Sequence, residues 1–140
     1  MTAPYASELD RLYAEIEKMA AAHGVLGLCP RPENAGQEDL CWIVEGPPGR
    51  FIQYYRERGQ TSVVCEGDYD AVLFEVMRTA AQSIAVHQEW RERGDGPYSR
   101  RKWFGIQRQI MARMKPEWDA QILAYQTAVL SKHPFPADDT

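Results

Sequence analysis

Between Phe51 and Trp90 two short runs rich in β-branched and aromatic residues, FIQYYRER and TSVVCE, flank a turn at Gly59, and a long helical pattern follows almost at once. A hairpin running directly into a long amphipathic helix admits few architectures, because each element has an apolar face that another layer must cover. Asp68 stands where the strand pattern stops. There its side chain can accept hydrogen bonds from the free amides of the first helical turn.

Upstream, LCWIVE (Leu40 to Glu45) leads through GPPGR into the first run of the hairpin, so residues 40–66 read as a three-stranded meander. Leu40, Trp42 and Val44 share one face of its first strand. A sheet this small needs helices on at least one face. The first of these is expected near Tyr5 to Ala22, where Tyr5, Leu9, Leu12, Tyr13, Ile16 and Ala20 recur at helical spacing. Ser7 or Thr2 is its candidate cap, and Gly24 ends it. The Pro- and Gly-punctuated stretch from His23 to Asp39 is expected to be extended, since Pro30 and Pro32 each remove a backbone donor.

The long helix is expected over 68–93, with a stripe of Tyr69, Leu73, Val76, Met77, Ala80, Ile84, His87 and Trp90, widened by Phe74, Ala81 and Ala85. Gly94 to Pro97 breaks it. A helical pair over 99–131 follows. Ser99 caps the first member, whose face is Trp103, Ile106, Ile110 and Met114. Pro116 opens the second, with Trp118, Ile122, Tyr125 and Val129 inward. The tail 132–140 is irregular and acidic, with Phe135 able to fold back onto the core.

Composition excludes several classes. A net charge of −4 lacks the basic balance of broad nucleic-acid or anionic-membrane binding. The start MTAPYASELD has no secretory pattern, and no apolar run approaches a membrane span. Cys29, Cys41 and Cys65 are odd in number and widely spaced, which fits reduced thiols in a cytosol.

Candidate chemistry is sparse. The three cysteines with His23, His87 and His133 lack the close pairs that announce a metal site, and His87 reads as a core histidine on an apolar stripe. No glycine-framed nucleophile elbow or cysteine-enzyme signature is present. Arg100-Arg101-Lys102-Trp103 is the kind of basic and aromatic run that touches phosphates. Three cations in a first helical turn oppose the helix dipole, however, and Glu89, Glu92 or Asp95 is expected to neutralise them within the chain. At the hairpin, Arg56-Glu57-Arg58-Gly59-Gln60 is either a polar turn or a charged recognition edge.

The aromatic strand ending in Glu57-Arg58-Gly59, the Asp68-Tyr69-Asp70 helix start with Phe74, Arg100-Arg101 with Phe104 and Gln107, Pro116-Glu117-Trp118 and the closing His133-Pro134-Phe135 together resemble the immunity protein 63 family of bacterial polymorphic toxin systems. Order and spacing over about the last two-thirds of the chain carry the resemblance. It implies a cytoplasmic protein that protects its own cell by binding a cognate toxin domain stoichiometrically, without chemistry. The family pattern defines no catalytic residue, so none is carried over.

The expectation is a single α+β domain over 1–140: a three-stranded antiparallel sheet packed against a long central helix, with an N-terminal helix (within 1–39) and two C-terminal helices. No cofactor, metal or catalytic residue is assigned. The toxin-binding candidates are Arg56, Glu57, Arg58, Trp90, Tyr98 and Arg101. A nucleic-acid-associated regulator using Arg100 to Lys102 is the alternative.

Overall fold

A computed structural model describes residues 5–139. The chain divides into two compact units, Met1–Met77 and Arg78–Thr140.

In the first unit, helix α1 (Glu8–Ala22) begins where the Ser7 hydroxyl accepts from the Asp10 amide at 3.1 Å, and it buries Leu12, Ile16 and Ala20. It starts three residues later than the apolar spacing suggested, and Tyr5 is exposed. Thr2, the other candidate cap, lies outside the described residues. Gly24 takes a φ of 71° just past the helix end, as its lack of a Cβ allows.

The next stretch is not extended throughout. Single 3₁₀ turns form at Leu26–Leu28 and Pro32–Asn34. Pro32 stands in the first turn of the second one, where its missing N–H has no intrahelical partner to lose. Val25, Cys29 and Pro30 anchor the segment by burial.

Strands β1 (Cys41–Glu45), β2 (Phe51–Glu57) and β3 (Gln60–Gly67) form the antiparallel meander β1-β2-β3. Leu40 falls just outside β1 and is exposed. Opposed residues share a face, so the pairing of Ile43 with Gln53 and of Glu45 with Phe51 puts Ile43, Phe51 and Gln53 together on the buried side. Trp42, Val44, Ile52 and Tyr54 occupy the other side, with Trp42 tilted on Tyr54 at 6.0 Å.

Asp68 caps the long helix α2 (Tyr69–Arg93), its Oδ1 accepting from the Ala71 amide at 2.9 Å. Tyr69 meets Phe51 edge-on at 6.1 Å and donates its hydroxyl to Glu15 at 2.5 Å, tying sheet, α1 and α2 together. Burial and the Glu15 carboxylate push the Tyr69 hydroxyl well above its ordinary pKa, so it stays a donor.

In the second unit α2 continues to Arg93, followed by α3 (Arg100–Met114) and α4 (Trp118–Lys132). The Ser99 hydroxyl caps α3 by accepting from the Lys102 amide at 3.0 Å. Ala85, Trp103 and Phe104 form a core, and Phe135 folds back onto it edge-on to Phe104 at 5.4 Å. The inward stripes are rotated from their expected positions. In α3, Phe104, Gln107 and Met111 are buried while Ile106, Ile110 and Met114 are half-buried. In α4, Gln126 is buried and Tyr125 is exposed under the Arg78 guanidinium. Hydrogen bonds between Gln107, Gln126 and backbone oxygens account for the rotation, because they make two polar side chains acceptable inside.

Candidate protein-binding surfaces

The β2–β3 hairpin closes on two residues of positive φ, Arg58 at 53° and Gly59 at 75°, between the paired Glu57 and Gln60. This is the backbone of a type I′ turn, which suits the twist of the strands and favours Asn-Gly. Glycine meets the requirement without cost, and arginine does not. Replacing Arg58 by asparagine is therefore expected to raise stability by about 0.5–1 kcal/mol. A chemical-denaturation midpoint equal to or below that of the natural chain would count against strain at this turn.

Glu38 pins the hairpin from the preceding loop. Its Oε1 accepts from Arg56 Nε at 2.9 Å and from the Gly59 amide at 3.0 Å, while Arg56 Nη1 donates to Thr61 at 3.2 Å. Arg56 is thus engaged within the chain. Glu57 and Arg58 are exposed and have no ion-pair partner among the described residues. Nothing in the residue pattern marked Glu38, which acts from eighteen positions away.

The two edges of the sheet differ. At β1 the outward groups of Ile43 and the Cys41 carbonyl are occupied: the Tyr13 hydroxyl accepts from Ile43 N–H at 2.6 Å and donates to Ile43 C=O at 2.8 Å, and the Arg31 amide and Asn34 Nδ2 both donate to Cys41 C=O. At β3 a different situation holds. Arg56 bonds through its backbone to Leu40 and Asp39, on the β1 side. By the alternation of an antiparallel ladder, the β3 residues opposite Arg56, Tyr54 and Ile52 (Thr61, Val63 and Glu66) turn their N–H and C=O outward. The register shifts between Gln53 and Tyr54, which leaves Val64 without a partner residue. That bulge breaks the in–out alternation, and β3 is exposed from Gln60 to Val64, with Val63 at 56% and Val64 at 50%.

In the second unit, one face of α2 and the loop after it enclose a surface pocket of about 520 Å³. Val86, His87, Glu89, Trp90 and Arg93 line it at helical spacing, and Tyr98 closes one side. His87 and Trp90 do not continue the buried stripe. Trp90 is 59% exposed with His87 against it at 5.7 Å, so the reading of His87 as a core histidine is corrected. The buried residue here is Glu89, which is fully inaccessible and whose Oε2 accepts from the Ser99 amide at 3.1 Å.

The basic run at the start of α3 is largely engaged within the chain. Lys102 pairs with Glu92 at 2.7 Å, one of the three acids expected to do so. Arg100 donates to the His133 carbonyl and lies over Phe104 and Phe135. Arg101 Nε donates to the Asp139 carbonyl at 3.1 Å and stacks on Phe135 at 4.3 Å. The Asp139 carboxylate accepts from the Ser99 hydroxyl at 2.5 Å and the Arg101 amide at 3.0 Å, a second cap brought by the tail. Arg101 therefore belongs to this tail clamp, and Asp139 went unseen in the sequence because its partners lie some forty residues away.

Among the described residues no three His, Cys, Asp or Glu side chains converge as metal ligands. Burial pushes the Cys29 thiol up to about 11, which disfavours the nucleophilic thiolate. A smaller pocket of about 330 Å³ beside Cys29 is lined in part by Tyr13, whose hydroxyl is committed to the backbone of Ile43.

The six candidates thus lie in two places: Arg56, Glu57 and Arg58 on the hairpin of the first unit, and Trp90, Tyr98 and Arg101 in the second. The described features define an α+β scaffold whose distinctive parts are an open strand edge and an aromatic pocket. The family model of immunity protein 63 matches residues 48–126, more than half of the chain and all six candidates, and the chain belongs to this family of immunity proteins of toxin systems. No curated protein and no solved structure matches the chain. No described helix is long and apolar enough to cross a membrane.

Proposed function

We propose that this chain works in the cytoplasm by binding its cognate toxin domain one to one, and that it neutralises the toxin by covering it rather than by chemistry. Family membership carries the reading, since an immunity protein of a toxin system has a toxin as its partner. The hairpin tip and the outer edge of β3 supply one part of the contact surface. They combine outward-turned backbone donors and acceptors, the exposed Val63 and Val64, and the exposed charges of Glu57 and Arg58. A standard interface of about 1,600 Å² has room for this edge and its flanks.

The test uses the toxin domain encoded beside this chain. Calorimetric titration is expected to give a 1:1 complex, and cells making the toxin domain are expected to survive only when this chain is present. Reversing both charges (Glu57→Lys with Arg58→Glu) is expected to weaken the complex about 10- to 100-fold with an unchanged melting temperature. Neutralisation at far below one chain per toxin would overturn the stoichiometric reading. Unchanged affinity in the double variant would remove the hairpin from the interface.

A further inference from the structure

The geometry points to the α2 pocket at Glu89, Trp90 and Tyr98 as a socket for a guanidinium group, supplied by an arginine side chain of the partner protein. This deepens the toxin-binding reading and rests on it for the partner's identity, although the socket itself can be probed without the toxin.

The first observation is an unmet carboxylate oxygen. Glu89 is fully buried, and its Oε2 is held by the Ser99 amide, which fixes the orientation of the carboxylate. Its Oε1 is buried and has no hydrogen-bond partner. The nearest cation is Arg93, whose Nη1 stops at 3.8 Å, within ion-pair range but beyond a hydrogen bond. A buried acceptor left this way is costly, and the cost is relieved by a donor that carries positive charge, which reaches the closed-off Oε1 as the Arg93 side chain moves aside.

The second observation is the pocket wall. Trp90 and Tyr98 are the two most exposed aromatic rings described, at 59% and 55%, and both face this pocket. Neither is loose. Tyr98 accepts at its hydroxyl from Trp103 Nε1 at 2.8 Å, and Trp90 rests on His87. Two aromatic side chains lining one pocket with a carboxylate offer the two kinds of group that recognise cations. Arg93 already offers a partial version, with its guanidinium carbon 5.4 Å from the Tyr98 ring centre.

Arginine fits better than lysine or an apolar residue. Its planar fork can stack on a ring while donating in-plane to a carboxylate, whereas an ammonium cannot do both with one face. An apolar side chain would fill the pocket and leave Oε1 still unmet. The acidic balance of the chain, −4 in all, favours approach of a basic partner. The pocket volume of about 520 Å³ is ample for one such side chain.

The experiment titrates the full chain with N-acetyl-arginine methylamide and, in parallel, with the citrulline analogue, which has nearly the same shape and no charge. The arginine probe is expected to shift the Trp90 indole and Tyr98 ring resonances saturably, while the citrulline probe does not. Glu89→Gln, which keeps an acceptor for Ser99, is expected to weaken the arginine probe at least tenfold. Trp90→Ala alters an exposed side chain and serves as the variant that must fold; it is expected to weaken the probe three- to tenfold. Equal response to both probes, or undiminished binding by Trp90→Ala, overturns the socket. Against the toxin domain, both variants are expected to raise Kd at least tenfold. If the natural chain binds the toxin and the variants bind it equally well, the socket's assignment to the toxin fails while the toxin-binding reading stands. If the natural chain does not bind the toxin at all, that reading fails too.

Discussion

A chain ended after Lys132 is expected to be less stable than the full one by about 3–5 kcal/mol, although only eight residues are lost and most of them are exposed. Two of the eight carry the effect. Phe135 closes the Trp103–Phe104 core and lies beneath the guanidinium groups of Arg100 and Arg101. Asp139 caps α3 through the Ser99 hydroxyl and the Arg101 amide. Without them, Arg100, Arg101 and Lys102 face the positive end of the helix dipole with Glu92, paired to Lys102, in opposition. Phe135→Ala and Asp139→Asn are expected to divide the loss, with the larger share at Phe135. A truncated chain with the melting curve of the full chain would show that the tail does not hold α3.

The clamp also carries a pH signature. The hydrogen bond from Ser99, with those from the Arg101 backbone and the Arg101 charge, holds the Asp139 carboxyl below the usual carboxylate range against the opposing effect of burial. A carboxyl depressed on folding stabilises the fold above its unfolded pKa, near 4, and that contribution fades as pH falls through the lower folded value. The stability difference between the natural chain and Asp139→Asn is therefore expected to be flat from pH 7 to about 5 and to shrink toward pH 3.

What could be read in the sequence was what short segments decide for themselves. Ser7, Asp68 and Ser99 cap the helices they precede because a cap bonds amides two or three residues away. Gly59 turns the hairpin because a two-residue loop demands positive φ there. The errors came where distant residues intervene. Periodicity extends the apolar stripe of α2 to His87 and Trp90, but burial also needs an element opposite, and both side chains face open solvent. Glu89 between them looks like a solvated charge, yet the loop that brings the Ser99 amide over it buries it completely. Arg56 and Arg101 are both contact candidates on the sequence, and for Arg101 the sequence offers only Glu89, Glu92 or Asp95 as an internal partner. Glu38 and Asp139, placed far off in the sequence, engage both. Exposure at Glu57, Arg58 and Tyr98 was legible, because each sits at or beside a chain reversal where packing gives out.

The pair Gln107 and Gln126 shows how such non-local engagement decides stability. Gln126 Nε2 donates to the Phe104 carbonyl at 2.9 Å and to Gln107 Oε1 at 3.0 Å, and Gln107 Nε2 donates to the Arg78 carbonyl at 3.1 Å. Both side chains are buried, so each amide depends on the other in place of water. Gln126→Leu keeps most of the volume but strands the oxygen of Gln107 away from any donor, and the expected loss is about 2–4 kcal/mol. Gln107→Leu strands an amide proton of Gln126 and is expected to cost a similar amount. The double substitution removes both halves of the interaction at once, leaving apolar surface against apolar surface. It is expected to cost no more than either single change, giving a coupling of about 2 kcal/mol or more in a double-mutant cycle by chemical denaturation. Additive losses would mean that the two amides act separately, each through its own backbone carbonyl. In that case the rotation of the α3 and α4 stripes would need a cause other than their mutual hydrogen bond.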